Sequence, residues 1–361
     1  MNGIRYLCFG AAGALLYYPA AIIAQAPLSV DHDTMAITHV ARPDRFVGNA
    51  ISMDFGEASL WVSCHTDGPI WRHQEGNTYR IDPKTFQTLA TIPVSGCVAV
   101  GEGAVWIRHG PEYIGVRALP ENHGKLSKID PRTNQIIATI AVDRWNGVLH
   151  NSGNLAVGEG GVWLISRQQK HLVRLDPRSH EVVATIPLGA TPFVVELGER
   201  KIWVLAAKQV FAAHYKDAQL HCIDPMLNKI VATIDLASAH AKIAVGEGCI
   251  WVVEQAFTPN ETGKAHVRRI NLATFRDEAK PVLLPSTAIR AVLLGRGGLW
   301  IGQDDPKART PKGIFTFVEA QTGQTREMPG PFMRGPSAFA DQALWVTNTW
   351  SKGTYLDRVR P

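Results

Sequence analysis

A short phrase ending in tryptophan returns along the whole chain, and it limits the fold more than any other feature. Residues 100–106 read Val-Gly-Glu-Gly-Ala-Val-Trp, and near copies end at Trp61, Trp163, Trp203, Trp251 and Trp300, with a degenerate copy at Trp345. The seven tryptophans are 45, 57, 40, 48, 49 and 45 residues apart. Self-similarity at a period of this size marks repeat architectures with one four-stranded blade per repeat. A continuous repeat also argues for one domain instead of several.

Each repeat divides into four short strands. The inner strand ends at the glycine of Gly-Glu-Gly, whose residues suit the positive φ angles of a tight hairpin. The second strand carries the tryptophan between aliphatic neighbours, as in Val105-Trp106-Ile107. Such an unbroken apolar run is expected where both faces of a strand are covered. The third strand ends in Asp-Pro, at Asp82, Asp130, Asp176 and Asp224. Aspartate bonds the backbone two residues on and proline presets φ, so these aspartates are read as turn formers and not as catalytic acids. The fourth strand follows the form Val-Ala-Thr-Ile-Pro, as at residues 183–187. A proline within a strand belongs at an edge, which makes this the outer strand.

The expected fold is therefore all-β, a seven-bladed β-propeller of four-stranded antiparallel blades. After Trp345 only a third strand fits, near residues 354–359, while residues 34–40 precede the first inner strand and resemble an outer strand. The N-terminal segment is expected to complete the last blade and close the ring.

Composition sets the compartment and excludes some partners. Arg5 precedes an apolar run over residues 6–23, followed by small residues, the form of a secretory signal cut near Ala24. The domains are then a signal peptide at 1–24 and a propeller at 25–361, with a retained membrane anchor of about eighteen residues as the competing reading. Periplasmic or secreted localisation follows, with a monomer as the expected state and no membrane association after cleavage. Losing Arg5 lowers the formal charge from +5 to +4, and no lysine or arginine run suits nucleic acid. Beyond Cys8 four cysteines remain. A disulfide between Cys64 and Cys97 is expected, since the first ends a second strand and the other begins the next inner strand at the same face. Cys222 and Cys249 are read as buried thiols.

The cycle Ala-Val-Gly-Glu-Gly-x-φ-Trp, Ile-Asp-Pro-x-Thr and Val-Ala-Thr-Ile-Pro resembles the YVTN-type seven-bladed propellers, the superfamily that also holds the streptogramin (virginiamycin B) lyases. The resemblance covers nearly the whole chain after the leader and speaks for architecture more than for chemistry. Streptogramin lyases have a glutamate after the aromatic of the second strand and use histidine and glutamate with magnesium. That implies a role for Glu254 in Trp251-Val252-Val253-Glu254 and a divalent metal such as Mg as a cofactor, although the family's second histidine is absent from residues 254–257.

Candidate function sits on one face. The Gly-Glu-Gly and Asp-Pro turns are short and share a face, whereas the long connections share the other, at 63–77, 108–124, 143–153, 206–218, 254–265, 302–313 and 329–336. Long loops on a rigid scaffold are a usual place for function. Nine of thirteen histidines lie in or beside these connections, with Trp71, Trp145 and Trp350. Aromatics supply contact area and imidazoles polarity or ligation, a combination suited to a small-molecule ligand. The third residue past each framework tryptophan reaches this rim, among them Cys64, His109, Glu254 and Asn348. His240 and Glu254 enter and leave blade five at one end and are the candidate catalytic pair. His109 and Asn348, with Trp71, Trp145 and Trp350 at the rim, are the candidate ligand contacts. Three functions compete. They are an exported module binding a small molecule or protein, a metal-assisted lyase or hydrolase of an ester, lactone or sugar-like substrate, and a propeller subunit of a periplasmic dehydrogenase.

Overall fold

The computed structural model describes residues 36–40, 48–65, 76–109, 113–114, 117–118, 124–142, 154–211, 214–236, 241–255, 265–286, 288–308, 312–333, 335–340, 342–350 and 353–360. The proposed signal peptide, Trp71, Trp145 and His240 lie outside these residues, and the side chain of Trp350 is likewise not described. Seven four-stranded antiparallel sheets form, each ordered from inner to outer strand. Blade 1 comprises Asn49–Gly56, Ser59–His65, Gly76–Ile81 and Thr88–Ile92, and blade 2 comprises Cys97–Gly101, Ala104–His109, Gly124–Asp130 and Gln135–Val142. Blade 3 is Leu155–Gly158, Gly161–Ser166, His171–Leu175 and Val182–Pro187, and blade 4 is Thr191–Gly198, Lys201–Phe211, His214–Asp224 and Lys229–Leu236. Blade 5 is Ala241–Gly246, Cys249–Gln255, Ala265–Asn271 and Val282–Leu284, and blade 6 is Ile289–Gly295, Gly298–Asp304, Gly313–Glu319 and Thr325–Gly330. Blade 7 takes Ser337–Ala340, Ala343–Trp350 and Gly353–Arg360 from the C-terminus and Ala36–Val40 from the N-terminus. Successive inner strands touch, and the seventh touches the first, so the sheets form a ring.

The core is a set of seven seams, one between each pair of neighbouring blades. Every framework tryptophan is fully buried, and each packs toward the blade that follows it: Trp163 lies among Ile202, Val204 and Ile223 of blade 4, and Trp345 among Leu60, Val62 and Ile81 of blade 1. This explains the period, because each seam needs one large apolar filler in the same place. Five of the indoles also donate to the carbonyl five residues back, as Trp163 Nε1 does to Gly158 O at 2.9 Å.

The hairpin turns explain the rest of the phrase. In residues 101–104 it is Glu102 (φ 52°) and Gly103 (φ 71°) that take the left-handed conformation, not Gly101. Gly101 serves close approach instead, since a Cβ there would come within 2.6 Å of Val157 O on blade 3. The Glu102 carboxylate accepts the Gly160 amide of the next blade at 3.0 Å, so this glutamate ties two blades together.

A second set of ties crosses the seams at the Asp-Pro turns. Asp176 Oδ1 accepts the amides of Arg178 and Ser179, both at 2.8 Å, and these bonds hold its carboxyl below the usual range. Two residues before the turn acid stands Arg80, Lys128 or Arg174, each over the tryptophan of its own blade and donating to the next blade's Asp-Pro carbonyl. Arg174 donates to Pro225 O at 2.6 Å and to Asn228 Oδ1 at 2.9 Å. Arg358 of blade 7 donates to Pro83 O of blade 1 at 3.4 Å, so the same tie spans the seam where the ring closes. The residue four past the turn acid, or past Asn271 in blade 5, is left-handed and reaches back to the preceding blade: Phe86 packs on Trp345, while His180 and Phe275 stand edge-on to Trp106 and Trp203.

Two expectations need correction. The expected Cys64–Cys97 disulfide does not form, and all four described cysteines are free and buried. Side chains alternate along a strand. Three residues past Trp61, Cys64 therefore points to the opposite side, into the seam with blade 7, whereas Cys97 packs in the seam between blades 2 and 3. Burial pushes the Cys97 thiol up to about 11, as it does for Cys222 and Cys249. In denatured, unreduced protein Cys64, Cys97, Cys222 and Cys249 should all alkylate, read by peptide mass mapping; a Cys64–Cys97 linked peptide would contradict this packing. The second correction concerns residues 206–218. Much of that connection is not a loop, because the two middle strands of blade 4 continue as a ladder through Gln209↔Lys216 to Phe211↔His214.

Candidate functional site

The two faces of the ring differ in how their polar groups are used. At the Asp-Pro face, turn acids, arginines and carbonyls satisfy one another across the seams. At the opposite face the second strands end in a buried polar side chain in four of the seven blades. The third residue past the tryptophan is Cys64, His109, Ser166, Ala206, Glu254, Gln303 or Asn348, and all but His109 are buried. These positions are thus seam-lining more than rim-exposed. Gln303 is satisfied, accepting from the Ser286 amide at 3.2 Å and donating to Thr316 Oγ1 at 2.6 Å. Ser166 Oγ and Asn348 Oδ1 are buried with no hydrogen-bond partner among the described residues. A buried polar atom left this way costs about 1–3 kcal/mol.

The predicted ligand residues are spread around the ring, not gathered. Alternation from Ile107, Val252 and Val346 sets His109, Glu254 and Asn348 on the side of the preceding blade, in the seams between blades 1 and 2, 4 and 5, and 6 and 7. His109 Nε2 lies 2.9 Å from Ser127 Oγ. Burial, with the charge of Lys125 added, pulls its imidazole down to about 4, so it is neutral at ordinary pH. Neutral imidazole can accept a proton or bind a metal.

Blade 5 holds the most reactive-looking arrangement. Glu254 pairs with Ala241 on one side and with His266 on the other. Glu254 is 1% exposed, its Oε2 lies 3.0 Å from His266 Nε2, and Arg268 Nη1 is 3.8 Å away. Arg268 is itself held by Asp277, with Nε to Oδ1 at 3.0 Å. His266 is the residue that motif reasoning misses: the family phrase looks for a histidine soon after the glutamate, whereas this one arrives from the neighbouring strand. The only signal in the sequence is a histidine at the start of the third strand, opposite the end of the second.

The divalent cation implied by the lyase resemblance does not fit these residues. The Glu254 oxygen that would ligate it already faces His266 and the Arg268 guanidinium, whose charge opposes a cation. Among the described residues no group of three or more His, Cys, Asp or Glu could hold a metal.

Fold and site together define a seven-bladed β-propeller with one tied face and one face of buried polar strand ends. No family model matches the chain, and no curated protein matches it. Among solved structures it is similar to hydrazine synthase of Kuenenia stuttgartiensis, at a TM-score of 0.58 and 11% identity, covering 89% of this chain and 98% of that one. It is also similar to the WD40 domain of Pan2 from Neurospora crassa, at a TM-score of 0.58 and 11% identity, covering 86% of this chain and 89% of that one. At such identities the likeness shows the fold alone.

Proposed function

We propose that the protein is an exported β-propeller that binds a small molecule or a partner protein at the face bearing the long connections. The observation that supports this reading is the pair of unpartnered buried polar atoms, Ser166 Oγ and Asn348 Oδ1, at equivalent strand ends on that face. Groups of this kind are a reserve of recognition chemistry, and a ligand that bonds them regains their desolvation cost. The apolar leader supports export, and the repeat phrases support a place near the YVTN-type propellers.

One observation favours the second reading, a lyase or hydrolase of the streptogramin lyase kind. A carboxylate bonded to one nitrogen of His266 fixes the ring and leaves the other nitrogen as the atom that would move a proton. Glu254 would orient this base, and Arg268 would offset the charge of the pair.

The test is native mass spectrometry of the full chain purified from its own host. Wild-type protein and Arg132→Ala, an exposed change on the Asp-Pro face, should carry the same bound species. Asn348→Ala and Glu254→Gln should retain about tenfold less, the equivalent of one lost hydrogen bond of about 1.5 kcal/mol. Under the second reading Glu254→Gln keeps the bound species and loses turnover by about two to four orders of magnitude. A wild-type protein that carries nothing, or a loss confined to Arg132→Ala, would defeat the proposal.

A further inference from the structure

Two residues past its framework tryptophan, blade 2 carries a charge where no other blade does. The equivalent residues elsewhere are Ser63, Ile165, Leu205, Val253, Gly302 and Thr347, and here it is Arg108. Alternation from Trp106 turns Arg108 into the seam with blade 3. It is 4% exposed, and its Nη1 crosses the seam to donate to Asn154 O and Ile165 O, both at 2.9 Å. The Ile165 carbonyl is part of the peptide group that leads into Ser166, so the guanidinium lies one peptide unit from that residue.

Ser166 faces the same seam. It alternates with Ile165, which packs against blade 4, and falls in step with Leu164, which packs against blade 2. On the neighbouring strand it stands directly opposite His171. Residues paired in this way have Cβ atoms about 4.5–5.5 Å apart on one side of the sheet. Val173, two residues on from His171, packs against the blade 2 cluster and confirms the side. Arg108, Ser166 and His171 therefore meet at one end of one seam. Ser166 Oγ and His171 Nδ1 are both buried with no hydrogen-bond partner among the described residues. Packing does not require the hydroxyl, since Ala206 takes the place of Ser166 in blade 4. Charge at this end is of one sign. The turn joining Ser166 to His171 carries Lys170 and Arg167, which rests on Phe193 of blade 4 at 4.7 Å. The only acid on the described strands of blades 2 and 3 is Asp130, at the Asp-Pro face.

We infer that this end of the seam binds a small oxyanion, the carboxylate or phosphate group of a ligand held at the long-connection face. The Ser166 hydroxyl donates, and His171 Nδ1 donates in one neutral tautomer and in the charged ring. An anion accepting from both gives each the partner that the fold does not. Arg108 supplies positive charge, and its two bonds to main-chain carbonyls hold that charge in place. Hydrogen bonds to an ionised acceptor are roughly twice as strong as neutral ones, so an anion gains more here than a neutral group. The inference rests on the long-connection face being the ligand face, and it adds the chemical class of one group of that ligand.

His171 is its own reporter. In the full chain labelled at the histidine ring carbons, its nuclear magnetic resonance signal is the one missing from His171→Gln. Titration with sodium acetate or, in a separate arm, sodium phosphate should shift that signal saturably, and the arm that saturates at lower concentration names the group. Sodium chloride at matched ionic strength should not shift it. Ser166→Ala should weaken the binding by about fivefold, the loss of one hydrogen bond, and leave the urea midpoint unchanged or higher, because the hydroxyl bonds nothing in the fold. Arg132→Ala removes an exposed cation from the Asp-Pro face and should leave the binding unchanged. No saturable shift, a shift matched by chloride, or full binding in Ser166→Ala would overturn the inference. Native mass spectrometry judges the ligand face separately: a bound species lost with Asn348→Ala, beside no anion-dependent shift of His171, would end this inference alone.

Discussion

Trp163→Ala lowers the unfolding free energy by roughly 3–5 kcal/mol, the range for emptying a buried large aromatic site. The upper end is expected, because more than hydrophobic area is lost. Trp163 is fully buried in the seam between blades 3 and 4, and its indole donates to Gly158 O. Its face carries the Arg174 guanidinium at 5.0 Å, and that guanidinium reaches Pro225 O, Asn228 Oδ1 and Gly160 O. Alanine removes the surface on which Arg174 rests, so the tie between blades loosens along with the packing; cation–π contact alone is worth about 0.5–2 kcal/mol. Trp163→Phe keeps a ring under the arginine and should cost about half as much. Urea unfolding of the three proteins, followed by fluorescence of the remaining tryptophans and by circular dichroism, measures both differences. A loss below about 1 kcal/mol for alanine would mean that the seam does not depend on its filler.

The tryptophan period was legible because it answers to one geometric demand repeated seven times. The turn acids were legible for the same reason, since Asp-Pro has a local mechanism that needs no partner. The ties across the seams were harder to read. The left-handed residue four past the turn acid is Phe86, Asn134, His180, Asn228 or Phe275, so the position recurs while the side chain changes with what faces it. His180 shows the consequence: by sequence it is a surface histidine in a turn, whereas in the fold its ring stands edge-on to Trp106 at 6.0 Å. The disulfide failed on alternation, because sharing a face of the ring is not sharing a seam. His266 was legible only as one of the histidines beside the long connections, because its register against Glu254 depends on where the strand resumes after residues 256–264, which no local pattern fixes. Two buried acids were hidden by their own strands, where Asp54 and Glu196 stand at places that alanine fills in four other blades.

Deleting residues 25–41 should abolish cooperative unfolding at the parent midpoint and drive the protein to aggregate. The deleted piece contains Ala36–Val40, which pairs antiparallel with the last strand from Ala36↔Arg360 to Val40↔Leu356. Without it, Gly353–Arg360 becomes an edge with unpaired amides and carbonyls, a template for joining other chains. That strand also supplies Leu356 and Val359, both fully buried, and Arg358, which lies over Phe86 and Trp345 and donates to Pro83 O. The seam it guards is the one between the last blade and the first, where the ring closes. In every other blade the outer strand follows the third directly in the chain, so fraying is quickly reversed. In blade 7 the outer strand comes from the far end of the chain, and its loss leaves nothing nearby to replace it. A synthetic peptide of residues 34–41 added in trans should restore solubility at concentrations that saturate the edge, because the pairing is a backbone ladder that needs no covalent link. A soluble deletion that melts like the parent would show that the first and last blades hold together without their shared strand.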